Sequence, residues 1–158
     1  MKTDNSPANA LRNATELTPD VKGHFCPGLQ ALGKNSSKVK VTATKLIGGS
    51  LDIDSTVKQL YPEDARWDYA VEYEGKTYFI EVHPAFTGEV ETIRKKLAWL
   101  KNWLQEKAPE INKIKSPNKP YNWVYTDTFA IAKTSRQYKA IAQLGLLPTA
   151  TWTPPKDS

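Results

Sequence analysis

Trp67-Asp68-Tyr69-Ala70-Val71-Glu72-Tyr73-Glu74-Gly75-Lys76-Thr77-Tyr78-Phe79-Ile80-Glu81-Val82-His83 reads as a β-hairpin. Both arms are rich in aromatic and β-branched residues, and Glu74-Gly75 stands between them where a tight turn needs residues tolerant of positive φ. A two-residue turn closing on Tyr73 and Lys76 pairs Glu72 with Thr77, Ala70 with Phe79 and Asp68 with Glu81. Side chains alternate along a strand, so Asp68, Glu81 and, two residues on, His83 share one face. The other face, with Tyr69, Val71, Tyr78, Ile80 and Val82, is expected to carry the most uniform core packing, while Ala70 and Phe79 support the acidic end from below. Like charges directly across a strand pair repel and call for compensation, which a divalent cation would provide. A bulge or a three-residue turn would instead shift the register by one and send the two carboxylates to opposite faces.

The chain of 158 residues suits one domain with a single substantial core. With 39% hydrophobic and 25% charged residues it has a soluble globular composition, and no apolar run reaches the length of a membrane span. Met1-Lys2-Thr3-Asp4-Asn5-Ser6 lacks the apolar centre of a secretory signal, so a cytoplasmic location is the expectation. The lone Cys26 excludes an internal disulfide and a multi-cysteine zinc site; it reads as a small buried hydrophobe, with His24 as a loop residue. No surrounding motif supports a nucleophilic pairing of Cys26 with His83. The net charge of +5, from 22 Lys and Arg against 17 Asp and Glu, permits a polyanionic partner without requiring one. Acids gather around the hairpin and basic residues flank it, an arrangement suited to metal-dependent work on phosphodiesters.

Residues 1–9 are expected to be a flexible N-terminus, 10–147 a single α/β domain, and 148–158 a proline-rich tail with at most an edge strand. Ala8 to Glu16 resembles a short helix, and Lys38 to Thr44 alternates as a half-exposed strand would. Gly48-Gly49 breaks that pattern as a bulge or turn. Ser55 to Leu60 suggests one or two helical turns. Val90, Ile93, Leu97, Leu100 and Leu104 recur at helical spacing, giving a long helix over about 88–107 with Thr87 as its N-cap. Trp99 and Trp103 are expected to widen its core contact, with base stacking as the alternative. Ile111 to Lys119 reads as a surface loop, 122–126 and 129–132 as one interrupted strand or two, and Ser135 to Leu144 as a helix stopped by Gly145.

The order helix, strand, strand pair carrying Asp68 and then Glu81-Val82-His83, long helix, strand, helix resembles the PD-(D/E)xK nuclease superfamily, the restriction-endonuclease-like fold. The resemblance covers about residues 10 to 145 in architecture and three residues in motif. It implies a central mixed sheet flanked by helices, and a metal-dependent phosphodiesterase acting on nucleic acid, DNA or RNA. Mg2+ or Mn2+ would be held by Asp68, Glu81 and the backbone carbonyl of Val82, with Glu16 on the first helix as a possible auxiliary acid.

Two departures stand out. Trp67 replaces the proline, and His83 replaces the usual lysine. Histidine can position and activate water at neutral pH, or add a ligand that favours manganese. Lys95 or Lys96 on the following helix could supply the missing positive charge, and Glu89 and Glu91 could approach the site, although a solvated face explains them as well. Two alternatives remain: a catalytically inactive module of the same fold that binds nucleic acid or protein, and a small α/β adaptor whose exposed Trp and Tyr residues bind protein. Carboxylates pointing apart, or a lysine or arginine already neutralising both, would remove the enzymatic reading.

Overall fold

The hairpin closes through Glu74 and Gly75 at φ 52° and 78°, the left-handed pair of a two-residue turn whose twist matches the strands it joins. Tyr69 faces Ile80, Ala70 faces Phe79, Val71 faces Tyr78 and Glu72 faces Thr77, the register that the alternation requires. The computed structural model describes residues 9–156. Most of the expected flexible N-terminus therefore lies outside the described residues.

In chain order the elements are α1 (Ala10–Glu16), β1 (Ile47–Asp52), α2 (Ile53–Val57), β2 (Tyr69–Tyr73), β3 (Lys76–Val82), β4 (Ala85–Phe86), α3 (Val90–Glu106), α4 (Pro109–Lys113), β5 (Tyr121–Val124), β6 (Phe129–Ala130) and α5 (Arg136–Gln143). The main sheet has the order β1-β2-β3-β5, with β4 and β6 forming a separate pair. β1 and β3 run antiparallel to β2, and β5 runs parallel to β3. The result is one α/β domain whose four-stranded mixed sheet is flanked by helices.

Both faces of the hairpin are buried, and the larger core lies on the side opposite to expectation. Ala70 and Phe79 join Leu11, Ile93, Leu97, Leu100, Trp103 and Leu104 in the principal cluster, between the sheet and the helices α1 and α3. Val71, Tyr73, Tyr78 and Ile80 form a smaller cluster with Leu32, Val39 and Trp152. The acidic end thus sits on the helix-covered face because α3 lays its apolar stripe there. Each fully buried Leu or Ile of that stripe contributes roughly 1.5–3 kcal/mol.

Two local expectations change and one holds. Lys38 to Thr44 is not a strand: one 3-10 turn ends at Lys38, another begins at Thr44, and between them only Val39 makes a bridge, to Trp152. The free edge of β1 is met at Ser50 by Cys26 instead. Gly48-Gly49 lies inside β1, and the irregularity between Ile47 and Gly49 bears out a bulge there. Glycine is required because a Cβ on Gly49 would run into the Phe25 ring and come within 2.9 Å of the Cys26 carbonyl oxygen. Trp152 is 3% exposed, so the segment expected to be a tail packs into the core as far as that residue.

Smaller corrections follow the same logic. Thr87 does not cap α3, since its hydroxyl donates to the Ala130 carbonyl and a 3-10 turn over Thr87–Glu89 precedes the helix. Part of the expected 111–119 loop is α4, started by Pro109 at a position where its missing N–H costs nothing. The α5 helix and Gly145 at φ 69° agree with the sequence. No helix among the described residues is long and apolar enough to cross a membrane.

Candidate metal and phosphodiester site

β2 and β3 end side by side with Asp68 one residue before β2 and Glu81 one residue before the end of β3. Their carboxylates are locked to each other's backbone. The Asp68 N–H donates to Glu81 Oε1 at 3.0 Å, and the Val82 N–H donates to Asp68 Oδ2 at 3.0 Å. Asp68 and Glu81 therefore share one face, as the alternation predicts. In an extended strand the N–H and C=O of a residue leave by the same edge, so the Val82 carbonyl is directed to the Asp68 side too.

The basic partner is Lys96. Its Nζ lies 2.6 Å from Glu81 Oε2 and 4.0 Å from Asp68 Oδ1. Lys95 is exposed, and the ammonium at the acidic pair comes from its neighbour. The helical wheel explains the choice: at about 100° per residue Lys96 flanks the Leu97 stripe on the side of Glu89 and Trp103, whereas Lys95 sits near the solvent pole. Glu16 is engaged elsewhere, accepting the Gly23 N–H at 3.0 Å. Among the described residues no hydrogen bond or ion pair joins it to Asp68 or Glu81.

His83 follows on the same face, with its ring between two carboxylates: Nε2 is 2.6 Å from Glu89 Oε1 and Nδ1 is 3.5 Å from Glu81 Oε2. A neutral imidazole has one N–H and cannot donate to both, so the imidazolium satisfies the pair. The Glu81 hydrogen bond, aided by Glu89 and opposed by burial, raises the His83 pKa above its ordinary value. Both nitrogens face carboxylates in this arrangement, so His83 would have to leave one of them to serve as a metal ligand or as a base for water. Glu89, which the sequence leaves open to a solvated reading, is part of the cluster. Sequence reasoning missed Asp54 and Arg66, which pair at 2.7 Å beside the site.

Charge is not balanced here. The Glu81 side chain is fully buried and that of Asp68 is 19% exposed, with one ammonium between two carboxylates. Burial, reinforced by the Glu81 charge, pushes the Asp68 carboxyl from 3.8 to about 7, against the pull of Lys96 and the Val82 N–H. For Lys96 burial favours the neutral amine, but the Glu81 and Asp68 charges outweigh it and raise its pKa. Lys96 thus neutralises Glu81 directly and Asp68 only in part.

The donors present are hard oxygens of the kind magnesium takes. Among the described residues no three His, Cys, Asp or Glu side chains converge as metal ligands, so an ion would rest on two carboxylates, a backbone carbonyl and water. Such sparse protein ligation is usual for magnesium. Its binding would require the Lys96 ammonium, on a side chain only 16% exposed, to give way at Glu81 Oε2.

Cys26 is half-buried with its thiol near the His24 carbonyl at 3.7 Å, and His24 is exposed, so neither belongs to this site. No protein-family profile matches this chain, and no characterised protein or solved structure is significantly similar to it.

Proposed function

We propose that the chain is a magnesium- or manganese-dependent phosphodiesterase of restriction-endonuclease-like architecture, acting on nucleic acid, with Lys96 in the role that His83 leaves vacant. The observation that carries this reading is that Asp68 and Glu81 share one face where the paired strands meet, each carboxylate accepting a backbone N–H from the other's strand at 3.0 Å. The sheet order β1-β2-β3-β5, with α1 before it and α3 between β3 and β5, supports the same reading.

A divalent ion bound by Asp68, Glu81 and the Val82 carbonyl would acidify water and offset charge on the phosphate. Lys96, displaced from Glu81, would reach a non-bridging phosphate oxygen and stabilise the charge that grows there. His83 and Glu89 hold Glu81 in place, and the raised pKa of His83 keeps positive charge near the pair to a higher pH than a free imidazole would.

The test is a thermal melt with and without manganese, paired with cleavage of single- and double-stranded DNA and RNA. Metal at ten times its dissociation constant stabilises by about 1.4 kcal/mol, which is about 3–6 °C for a chain of this size. Asp68→Ala should lose the shift, and Glu81→Ala should lose cleavage. Identical melting of wild type with and without metal removes the catalytic reading.

A second reading is favoured by the 2.6 Å contact of Lys96 with Glu81: the lysine is a permanent counter-ion in a non-catalytic module of the same fold. On that reading Lys96→Gln creates a manganese-dependent melting shift that the wild type lacks. On the first reading the wild type already has it.

A further inference from the structure

We propose that the groove between the start of α3 and α5 is a phosphate-binding track that holds the nucleic-acid strand beside the scissile position. This rests on the nucleic-acid reading above and names the part of the molecule that grips the backbone. The groove is lined by Thr87, Gly88, Glu91, Arg94, Arg136 and Gln137. Arg136 is exposed and has no ion pair or side-chain hydrogen bond among the described residues. Among the described residues Arg94 pairs with Glu91 alone, at 3.3 Å, with both side chains at least half exposed. Such a pair is worth about 0–1 kcal/mol, so a phosphate can compete for the arginine.

The groove adjoins the site. Glu89, bound to His83 at 2.6 Å, closes the turn whose Thr87 and Gly88 line the groove. That turn spans about 6 Å, or about two phosphates along a strand.

The positive charge also repeats. A second cavity shares Glu91 and Arg94 and continues past Lys95 and Lys101. From Arg94 to Lys101 the helix rises about 10 Å, a length over which a strand presents more than one phosphate. Four cations against Glu91 along such a track match a repeating polyanion better than a single small anion. Arginine also binds a phosphate through two parallel hydrogen bonds.

The experiment is a fluorescence-anisotropy titration of short labelled single strands of DNA and of RNA, in EDTA, over a series of salt concentrations. Arg136→Ala and Arg94→Ala should each weaken binding and each lower the slope of log affinity against log salt by about 0.7. Glu91→Gln should tighten binding because it frees Arg94. Lys113→Ala on α4 should leave binding unchanged, since that exposed lysine lies outside the groove. The opposite signs at Glu91 and Arg94 separate a phosphate contact from a fault in folding. Binding that is absent, or indifferent to all three groove variants, overturns the proposal, as does equal displacement of the strand by an acidic peptide. Groove-dependent binding without any metal-dependent cleavage would retain the track and reject the catalytic reading; cleavage indifferent to the groove would do the reverse.

Discussion

Asp68→Asn should make the protein more stable at alkaline pH, although it alters the centre of the site. The Asp68 carboxyl has its pKa lifted from 3.8 to about 7 by burial and by the neighbouring Glu81 charge. A raised folded-state pKa means that the stability of the protonated form is fully present below 3.8 and drains away as pH rises to about 7, after which the penalty stays constant. The gap is about three pH units, which at 1.36 kcal/mol each sets an upper bound of about 4 kcal/mol. Partial exposure of the side chain reduces this, and about 2 kcal/mol is expected at pH 8. Asparagine keeps an oxygen to accept the Val82 N–H, so the local backbone contact survives. In metal-free buffer the variant should melt about 4–8 °C above wild type at pH 8, and linkage predicts that more than half of the difference is gone at pH 5. Calorimetry in EDTA at constant ionic strength from pH 8 to pH 5 measures both. A variant no more stable than wild type at pH 8, or a difference that does not shrink with acid, refutes the charge argument.

Lys96→Met leaves the fully buried Glu81 without its ammonium partner and should cost about 3 kcal/mol in urea unfolding. Adding Glu81→Gln should restore part of the loss, and strict additivity of the two changes would show that they do not interact. The His83 imidazole should titrate above 6.5 in an NMR pH series, and Glu89→Gln should lower its pKa; a ring that is neutral at pH 6 contradicts the double carboxylate clamp. The stability from His83 is present below pH 6.5 and lost as pH rises through the raised value. Gly49→Ala should destabilise by about 2 kcal/mol or more, because the new methyl group meets Phe25 and the Cys26 carbonyl. An alanine variant with an unchanged urea midpoint would show that Phe25 can move aside.

The electrostatic picture ties these outcomes together. With the Lys96 ammonium and the His83 imidazolium set against Asp68, Glu81 and Glu89, the site carries excess negative charge, the condition in which Asp68 holds its proton up to about neutral pH. The same excess of negative charge would favour a divalent ion. Stability and metal response should therefore move in opposite directions in Asp68→Asn: the variant gains in EDTA and loses the gain from manganese.

What could be read from the chain is what local periodicity encodes. Alternation on both sides of Glu74-Gly75 sets the register, and the register sets Asp68 beside Glu81. The three- and four-residue spacing from Val90 to Leu104 sets α3. Long-range docking decided the rest. Which face of the hairpin meets the larger core depends on where α3 lies, and so does the selection of Lys96 over Lys95 as the partner of Glu81. The failed strand over Lys38–Thr44 has a similar cause: alternation records which side chains are buried, whereas a strand also needs an unoccupied edge, and Cys26 already bridges β1 at Ser50. The clamp of Glu89 on His83 joins residues six apart in sequence, through a 3-10 turn that brings the carboxylate back over the ring. Neither strand nor helix period reports such a contact, because both describe one element at a time while the charge balance of the site is a property of several packed together.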